Sequence, residues 1–356
     1  MEKDIMILTA TSGDTGKAAL AGFQDVPGIK ITVFYPDGGV SKVQRAQMVT
    51  QEGENVNVCA VRGNFDDAQT GVKNIFAACQ GKDMKYSLSS ANSINIGRLA
   101  PQVMYYFKAY RDLMDAGKIK LGDKVNFSVP TGNFGDILAG FLAKKLGLPV
   151  GKLICASNAN NVLTDFITTG TYDRRRQLLK TTSPSMDILV SSNLERLLYL
   201  LSLDTDLVSK LMADLNGQGF YTVPDSLKAA IQENFWAACC DDERADEIMG
   251  RVYKDLGYLC DPHTAAGWAA AEDYTAATGD SRPMVVLSTA SPYKFPVAVL
   301  HALDGDLSGP EFDQMERLQT MTDVPIPRNL ASLQGKEEKH TGVIEKEKML
   351  EYVLGL

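Results

Sequence analysis

The sequence predicts an α/β protein with two doubly wound, mainly parallel sheets, and three observations predict it. Short continuous apolar runs such as Ile5-Met-Ile-Leu-Thr-Ala10 suit strands buried on both faces of a parallel sheet. Helical stretches alternate with these runs, as right-handed crossovers between parallel strands require. Loops rich in glycine and hydroxyl residues follow several strands, at the edge where α/β folds bind ligands.

Taken in order, strands are expected at 5–10, 29–35 and 55–61. Helices are expected from Lys17 to Phe23, near Ser41 to Gln51 and near Asp66 to Ala78. The stretch SANSINIGRLAPQVMYYFKAY, from Ser90 to Tyr110, reads as a loop feeding a helix. Its apolar face carries Leu99, Val103, Tyr106 and Phe107, and Pro101 fits the first turns, where its missing N–H costs nothing. A second domain is expected from about residue 97, with strands at 124–130, 152–157, 188–192 and 284–289. A mostly helical region spans Asn193 to Leu256, followed by a helix from His263 to Tyr274. Asp323 to Lys339 is rich in proline, polar and charged residues and reads as a surface crossing before a last helix at 344–355. The expected division is 1–96, 97–325 and 326–356, with no internal repeat.

With 356 residues the chain is long enough for two domains. A net charge of −8 argues against a nucleic acid or an anionic membrane surface as partner. The one basic cluster, Arg174-Arg175-Arg176, reads as a solvated helix face. No apolar run approaches the roughly 20 residues that span a bilayer, and no secretory signal opens the chain. Six cysteines and three histidines form neither a disulfide scaffold nor a metal-ligand spacing. The economical expectation is a cytoplasmic, metal-free protein with reduced thiols, acting on a small molecule as a monomer or homodimer.

The stretch SVPTGNFGDILAG, Ser128 to Gly140, carries the chemistry. It reads as the end of a buried strand, a tight loop at Thr131 to Gly135, and a helix from Asp136. The first turn of a helix leaves N–H groups without partners and carries the positive end of the dipole, which suits an anion such as phosphate. A plain strand-to-helix turn reads equally well from the loop alone. TSGDTGKA is not a P-loop, because Thr11 and Ala18 stand where that motif needs a glycine and a hydroxyl. GNFGD lacks the dinucleotide glycine spacing, and no acid follows about 20 residues later. A third loop, LSTASPYKF, ends a strand in Ser288 and Thr289. Singly these are turn or capping residues; with the other two loops they point to a site.

Together, TATSGDTG, SANSINIGRL, PTGNFGDILAG with AKKLGLP, SPSMDI with SSNLER, and LSTASPYKF resemble threonine synthase, a tryptophan-synthase-β-like (fold type II) enzyme that uses pyridoxal 5'-phosphate (PLP). The resemblance is collinear from about residue 5 to 300. It implies that Gly132, Asn133, Phe134, Gly135 and Asp136 cradle the cofactor phosphate and that Asp14 lies beside the phenolic oxygen. It further implies that Ser12, Gly13 and Thr15 hold the substrate carboxylate, and that Thr289, with Ser288 as rival, bonds the pyridine nitrogen. Asn92, Ser93, Asn95 and Arg98 are its candidates for the substrate's phosphate end; a surface ion pair is the other reading of Arg98. The implied site lies in the cleft between a smaller domain with the substrate loop and a larger one with the phosphate cradle. The implied reaction converts O-phospho-L-homoserine and water to L-threonine and phosphate.

The sequence departs from the family in one respect. The Schiff-base lysine belongs to a G-P-T-x-A-F-K-D-like segment well upstream of SGDTG, and no segment here resembles it. Neither Lys17 nor Lys294 stands at that position, so no catalytic residue is assigned and the N-terminal part of the enzyme is expected to be missing. Three readings follow: a threonine synthase lacking its lysine segment, a PLP-dependent phospho-lyase acting on a phosphorylated amino acid, or a non-catalytic remnant that binds phosphorylated metabolites.

Overall fold

Two sheets built wholly from parallel pairings organise the chain. In the computed structural model, which describes residues 3–93 and 95–356, they belong to two units. One unit is the chain up to Asn95 together with Pro292–Leu356; the other is Ile96–Ser291.

The first unit's sheet runs in the order Val343–Glu345, Val56–Arg62, Ile29–Pro36, Ile5–Ala10, Ser87–Ser90. Alternation along its central strands fills both faces, as the period of two requires. Met6, Leu8, Ala10, Phe34, Cys59 and Val61 pack against Val72, Ile75, Met349 and Val353 from helices Phe65–Cys79 and Met349–Leu354. Ile7, Ile31, Val33, Tyr35, Val58 and Ala60 pack against Ala19, Leu20, Met48 and Val49 from helices Asp14–Phe23 and Lys42–Val49. This is the doubly wound arrangement.

The second unit's sheet runs Met284–Val286, Val125–Pro130, Val150–Ser157, Phe235–Cys239, with every pairing again parallel. Helix Pro262–Thr278 packs against all four strands, with Ala270 and Tyr274 meeting Ile154, Ala156 and Ala238. Helices Gly135–Lys145, Val162–Thr169 and Asp225–Asn234 also pack on this sheet. Leu153, pointing opposite to Ile154, approaches Gly140 of the first of them closely, so that a β-carbon there would stand 2.9 Å from its side chain and 2.6 Å from the Tyr106 ring.

The structure corrects the sequence reading in several places. Residues 292–325 were expected in the larger domain, but they pack with the first unit. Helix Glu311–Thr322 lies on Lys42–Val49, where Glu311 accepts from the Lys42 N–H at 3.0 Å, and the Tyr293 hydroxyl donates to Val324. The stretch 326–356 is likewise no separate surface segment, because Val343–Glu345 pairs with Val56–Arg62 and extends that sheet. The strand expected at 188–192 is absent, and the Tyr172 hydroxyl takes the Leu189 carbonyl and the Ser191 N–H instead. The strand expected at 284–289 shortens to Met284–Val286, an edge strand only half-buried. Phe235–Cys239 and Ser87–Ser90 are strands the sequence reading missed. Phe107 was assigned to the apolar face of its helix, yet 41% of it is exposed, whereas Tyr106 and Leu99 are buried. No described helix is long and apolar enough to cross a membrane.

Because Met349 is buried against the first unit's core, Met349→Ala is expected to destabilise that unit by about 2–5 kcal/mol. Denaturant unfolding measures this. A loss well under about 1 kcal/mol would show that the C-terminal helix is not part of that core.

Candidate cofactor site

The glycine turn of the second unit begins where strand Val125–Pro130, buried along its whole length, ends. The chain must reverse within a few residues to start helix Gly135–Lys145. Phe134 makes the reversal with φ 64° and ψ 9°, a left-handed conformation uncommon for a residue with a side chain. Its ring offsets that strain by packing in the core, 1% exposed and 5.6 Å from the ring of Phe235. Only the backbone of Phe134 therefore faces any ligand of the turn. Asn133 Oδ1 accepts from the Gly135 N–H at 2.8 Å and closes the loop on itself. The N-cap residue Phe134 makes no side-chain cap, so apart from the Gly135 N–H, which Asn133 takes, the first-turn N–H groups and the dipole are available to an anion. Helices Lys42–Val49, Phe65–Cys79, Asp242–Leu256 and Pro262–Thr278, by contrast, each have a capping side chain.

Asp136 opens that helix with a carboxylate turned away from an anion role. The Tyr106 hydroxyl lies 2.8 Å from its carbonyl oxygen and 3.1 Å from its Oδ1. Burial pushes the carboxyl up to about 6, while the Tyr106 hydrogen bond and the positive charge of Arg98 act in the opposite direction. Arg98 thus lies close enough to the first turn of the helix for its charge to be felt there. Asp136 can contribute its backbone N–H to a phosphate, whereas its carboxylate would repel one.

Residues 183–193 back the turn. Ser191 Oγ donates to the Gly132 carbonyl at 2.8 Å, and the Asn193 N–H and Nδ2 both donate to the Asn133 carbonyl at 3.0 Å. A β-carbon on Gly132 would lie 2.5 Å from the Ser185 carbonyl, so only glycine fits. The Ser185 N–H donates to His263 Nε2 at 3.2 Å, and His263 Nδ1 lies 2.6 Å from Asp261 Oδ2. Buried Asp187 accepts from Asn158, Asn160 and Thr181 and fixes the start of the same segment. The sequence reading quoted SPSMDI and SSNLER only as marks of resemblance and gave their residues no role. The contacts join positions about 60 apart, and no local spacing reveals them.

The first unit carries the second glycine loop. Thr11 Oγ1 accepts from the Gly13 and Gly16 N–H groups, each at 2.9 Å, and winds the loop around one hydroxyl. Gly13, with φ 132°, and Gly16, pressed against Thr11 and Val33, have no room for a side chain. Helix Asp14–Phe23 also begins without a side-chain cap. Ser12 and Thr15 are half-buried beside it. Asp14 Oδ1 accepts from Lys294 Nζ at 2.7 Å and Gln44 Nε2 at 3.1 Å, two partners the sequence reading missed.

In the SANS loop the amides brace the loop itself. Asn92 Nδ2 donates to the Ala10 carbonyl at 2.6 Å and its Oδ1 accepts from the Ala10 N–H at 3.0 Å. Asn95 Nδ2 donates to the Ser90 carbonyl at 2.9 Å, and Ser93 is buried. Thr289 and Ser288 lie exposed beyond the edge strand Met284–Val286. Ser288 Oγ accepts from the Tyr258 hydroxyl at 3.0 Å and lies 3.4 Å from Thr264 Oγ1. Among the described residues, no group of three or more His, Cys, Asp or Glu side chains could hold a metal ion.

Two doubly wound units, each with a glycine loop leading into an uncapped helix, define the fold of a fold type II PLP-dependent enzyme. Residues 2–290 match the family described as pyridoxal-phosphate dependent enzyme, and residues 264–353 match the C-terminal part of threonine synthase. The threonine synthase of Pseudomonas aeruginosa is 41% identical over 94% of this chain and 70% of its own length. Human threonine synthase-like 1 is 44% identical over 84% of this chain, which spans only 41% of that relative. The crystal structure of PLP-bound threonine synthase from Brucella melitensis superposes with a TM-score of 0.81 at 38% identity, covering 99% of this chain and 71% of that one. The chain belongs to the threonine synthase family, and its cofactor is pyridoxal 5'-phosphate.

Asp136 generates a pH-dependent expectation. Its folded-state value, about 6, lies above the ordinary 3.8, so its contribution to stability is full below about pH 4 and lost as pH rises through about 6. Asp136→Asn keeps an acceptor for Tyr106 and removes the titration. Between pH 4 and 8 the unaltered protein is expected to lose up to about 3 kcal/mol relative to the variant. Denaturant titrations across that range measure it, and parallel profiles would contradict the assignment.

Proposed function

We propose that this chain carries the cofactor- and substrate-binding machinery of an enzyme converting O-phospho-L-homoserine and water to L-threonine and phosphate. The observation that carries the proposal is the glycine turn Gly132–Asp136, whose helix begins without an N-cap side chain and so suits the phosphate of the cofactor. When bound, the cofactor supplies an electron sink for carbanion chemistry at the substrate's α-carbon.

The roles of the chain's own groups are those that the family resemblance implies. The turn Gly132, Asn133, Phe134, Gly135 and Asp136 cradles the phosphate, with backbone N–H groups of Asn133, Phe134 and Asp136 as donors and the Gly135 N–H held by Asn133 Oδ1. Ser12 and Thr15 hold the substrate carboxylate with hydroxyl and N–H donors, and Gly13, whose own N–H is bonded to Thr11, lets the backbone approach it closely. Asp14 lies beside the phenolic oxygen, its carboxylate oriented by Lys294 and Gln44. Thr289 bonds the pyridine nitrogen, with Ser288 as the alternative; a hydroxyl there leaves that nitrogen largely unprotonated. Arg98 serves the substrate phosphate with a planar two-point donor, and Ser93 assists. Asn92 and Asn95 shape the loop that presents them.

None of the 356 residues stands in a segment resembling the family's lysine motif. On this reading the chain alone binds cofactor and does not turn over substrate. The alternative readings are a PLP-dependent phospho-lyase acting on a phosphorylated amino acid and a non-catalytic role binding phosphorylated metabolites.

Gly135→Ala places a β-carbon in the turn and is expected to weaken PLP affinity about tenfold or more, equivalent to about 1.4 kcal/mol. Calorimetric titration measures this, and unchanged affinity would remove the turn from the cofactor site. Incubating the chain with PLP and O-phospho-L-homoserine is expected to release neither threonine nor a 2-oxo acid. Threonine among the products would refute the claim that the lysine is lacking, and a 2-oxo acid would favour the lyase.

A further inference from the structure

The orientation of the glycine turn is set by a segment that no assigned role explains. In a trans peptide the carbonyl of one residue and the N–H of the next point in opposite directions. The Gly132 carbonyl shares its peptide plane with the Asn133 N–H, and the Asn133 carbonyl shares its plane with the Phe134 N–H. Ser191 Oγ holds the first carbonyl at 2.8 Å, and Asn193 holds the second at 3.0 Å through both its N–H and its Nδ2. Both carbonyls therefore face residues 191–193, and the Asn133 and Phe134 N–H groups face the other way. The third N–H of the turn, that of Gly135, is taken by Asn133 Oδ1.

The two clamping residues are themselves held. The Tyr172 hydroxyl accepts from the Ser191 N–H at 2.8 Å and donates to the Leu189 carbonyl at 3.0 Å. The Tyr172 ring stacks on Tyr221 with centroids 5.4 Å apart. Asn193 is fully buried and its Oδ1 accepts from Arg196, which fixes the amide so that Nδ2, rather than Oδ1, meets the Asn133 carbonyl. On the N-terminal side of the segment, the Ser185 N–H donates to His263 Nε2. This requires the proton of the neutral ring to sit on Nδ1, where Asp261 accepts it at 2.6 Å.

We infer that Ser191 and Asn193 are positioning residues that aim the Asn133 and Phe134 N–H groups at the phosphate of the cofactor by holding the two preceding carbonyls back. Neither side chain touches the phosphate; each acts through a peptide plane. The inference rests on the reading of Gly132–Asp136 as the phosphate cradle. A turn without these clamps is free to rotate either peptide, which would set a carbonyl dipole, and not an N–H, against the anion.

The test compares PLP with pyridoxal, which lacks the phosphate, on the whole chain and on its Ser191→Ala and Asn193→Ala variants. Displacement calorimetry reads the ratio of the two dissociation constants, and thermal melting confirms that each variant is folded. Ser191→Ala removes one oxygen atom and is expected to reduce the preference for PLP over pyridoxal about tenfold, with pyridoxal affinity unchanged within about twofold. Asn193→Ala, which leaves its backbone N–H in place, is expected to reduce the preference in the same direction and provides the reading should Ser191→Ala not fold. A ratio unchanged in the folded variants, or an equal loss for both ligands, would overturn the positioning role. If the unaltered chain shows no preference for PLP over pyridoxal, the cradle reading fails and the inference fails with it. A preference that exists and survives both substitutions sinks the inference alone.

Discussion

The left-handed backbone of Phe134 is the constraint on which the second unit's site depends. A strand buried to its last residue must become a helix within five residues, and a left-handed step at that point makes the reversal possible. Such a step is unfavourable for a residue with a β-carbon and persists only where the surroundings over-determine it. Here the Phe134 ring is fixed in the core against Phe235, Asn133 closes the loop from within, and Ser191 and Asn193 hold its carbonyls from outside. The helix that follows is left without a side-chain cap. In most of a protein that omission is a loss of stability; at an anion site it leaves donors ready for the ligand.

The first unit solves a similar problem with different residues. Its loop is wound around the Thr11 hydroxyl, which gathers two N–H groups, and its helix also starts uncapped. In both loops a side-chain oxygen satisfies some of the backbone donors and leaves others for a ligand. Both loops also need glycine for steric reasons: a β-carbon at Gly13 would strike Gln44, and one at Gly132 would strike the Ser185 carbonyl. The glycines of these motifs thus reflect close packing as much as freedom to bend. The Asp14–Lys294 pair adds a half-buried ionic contact that ties the start of the first helix to the segment following Pro292.

What the sequence made legible followed from local periodicity. Ile5–Ala10, Ile29–Pro36 and Val125–Pro130 announce themselves as apolar runs, and the helices between them carry clear faces. The glycine loops were equally plain, because turn chemistry is local. Misreadings arose where tertiary contacts overrode local signals. Ser87–Ser90 is a serine-rich strand, apolar only at Leu88, that pairs because Ile5–Leu8 offers it an edge. Phe235–Cys239 lies among helices and reads as part of them until the Leu153–Ser157 partner is known. Residues 188–192 have strand-like composition, yet the Tyr172 hydroxyl takes backbone groups of Leu189 and Ser191 that a ladder would need. The partners of the site were the least legible. Lys294 meets Asp14 across 280 positions and His263 meets Ser185 across 78, and nothing in the spacing of either residue marks the contact. Resemblance supplied the site residues; geometry supplied what holds them.

The central claim is that backbone donors of the turn at Asn133 and Phe134 grip the anionic end of the cofactor. A crystal structure of this chain soaked with pyridoxal 5'-phosphate tests it most directly. The account predicts phosphate oxygens within hydrogen-bonding distance of the Asn133 and Phe134 backbone nitrogens, with the Gly132 and Asn133 carbonyls still bound to Ser191 and Asn193. A phosphate seated instead on the Thr11–Gly16 loop, or a turn whose peptides have flipped to release those carbonyls, would contradict it.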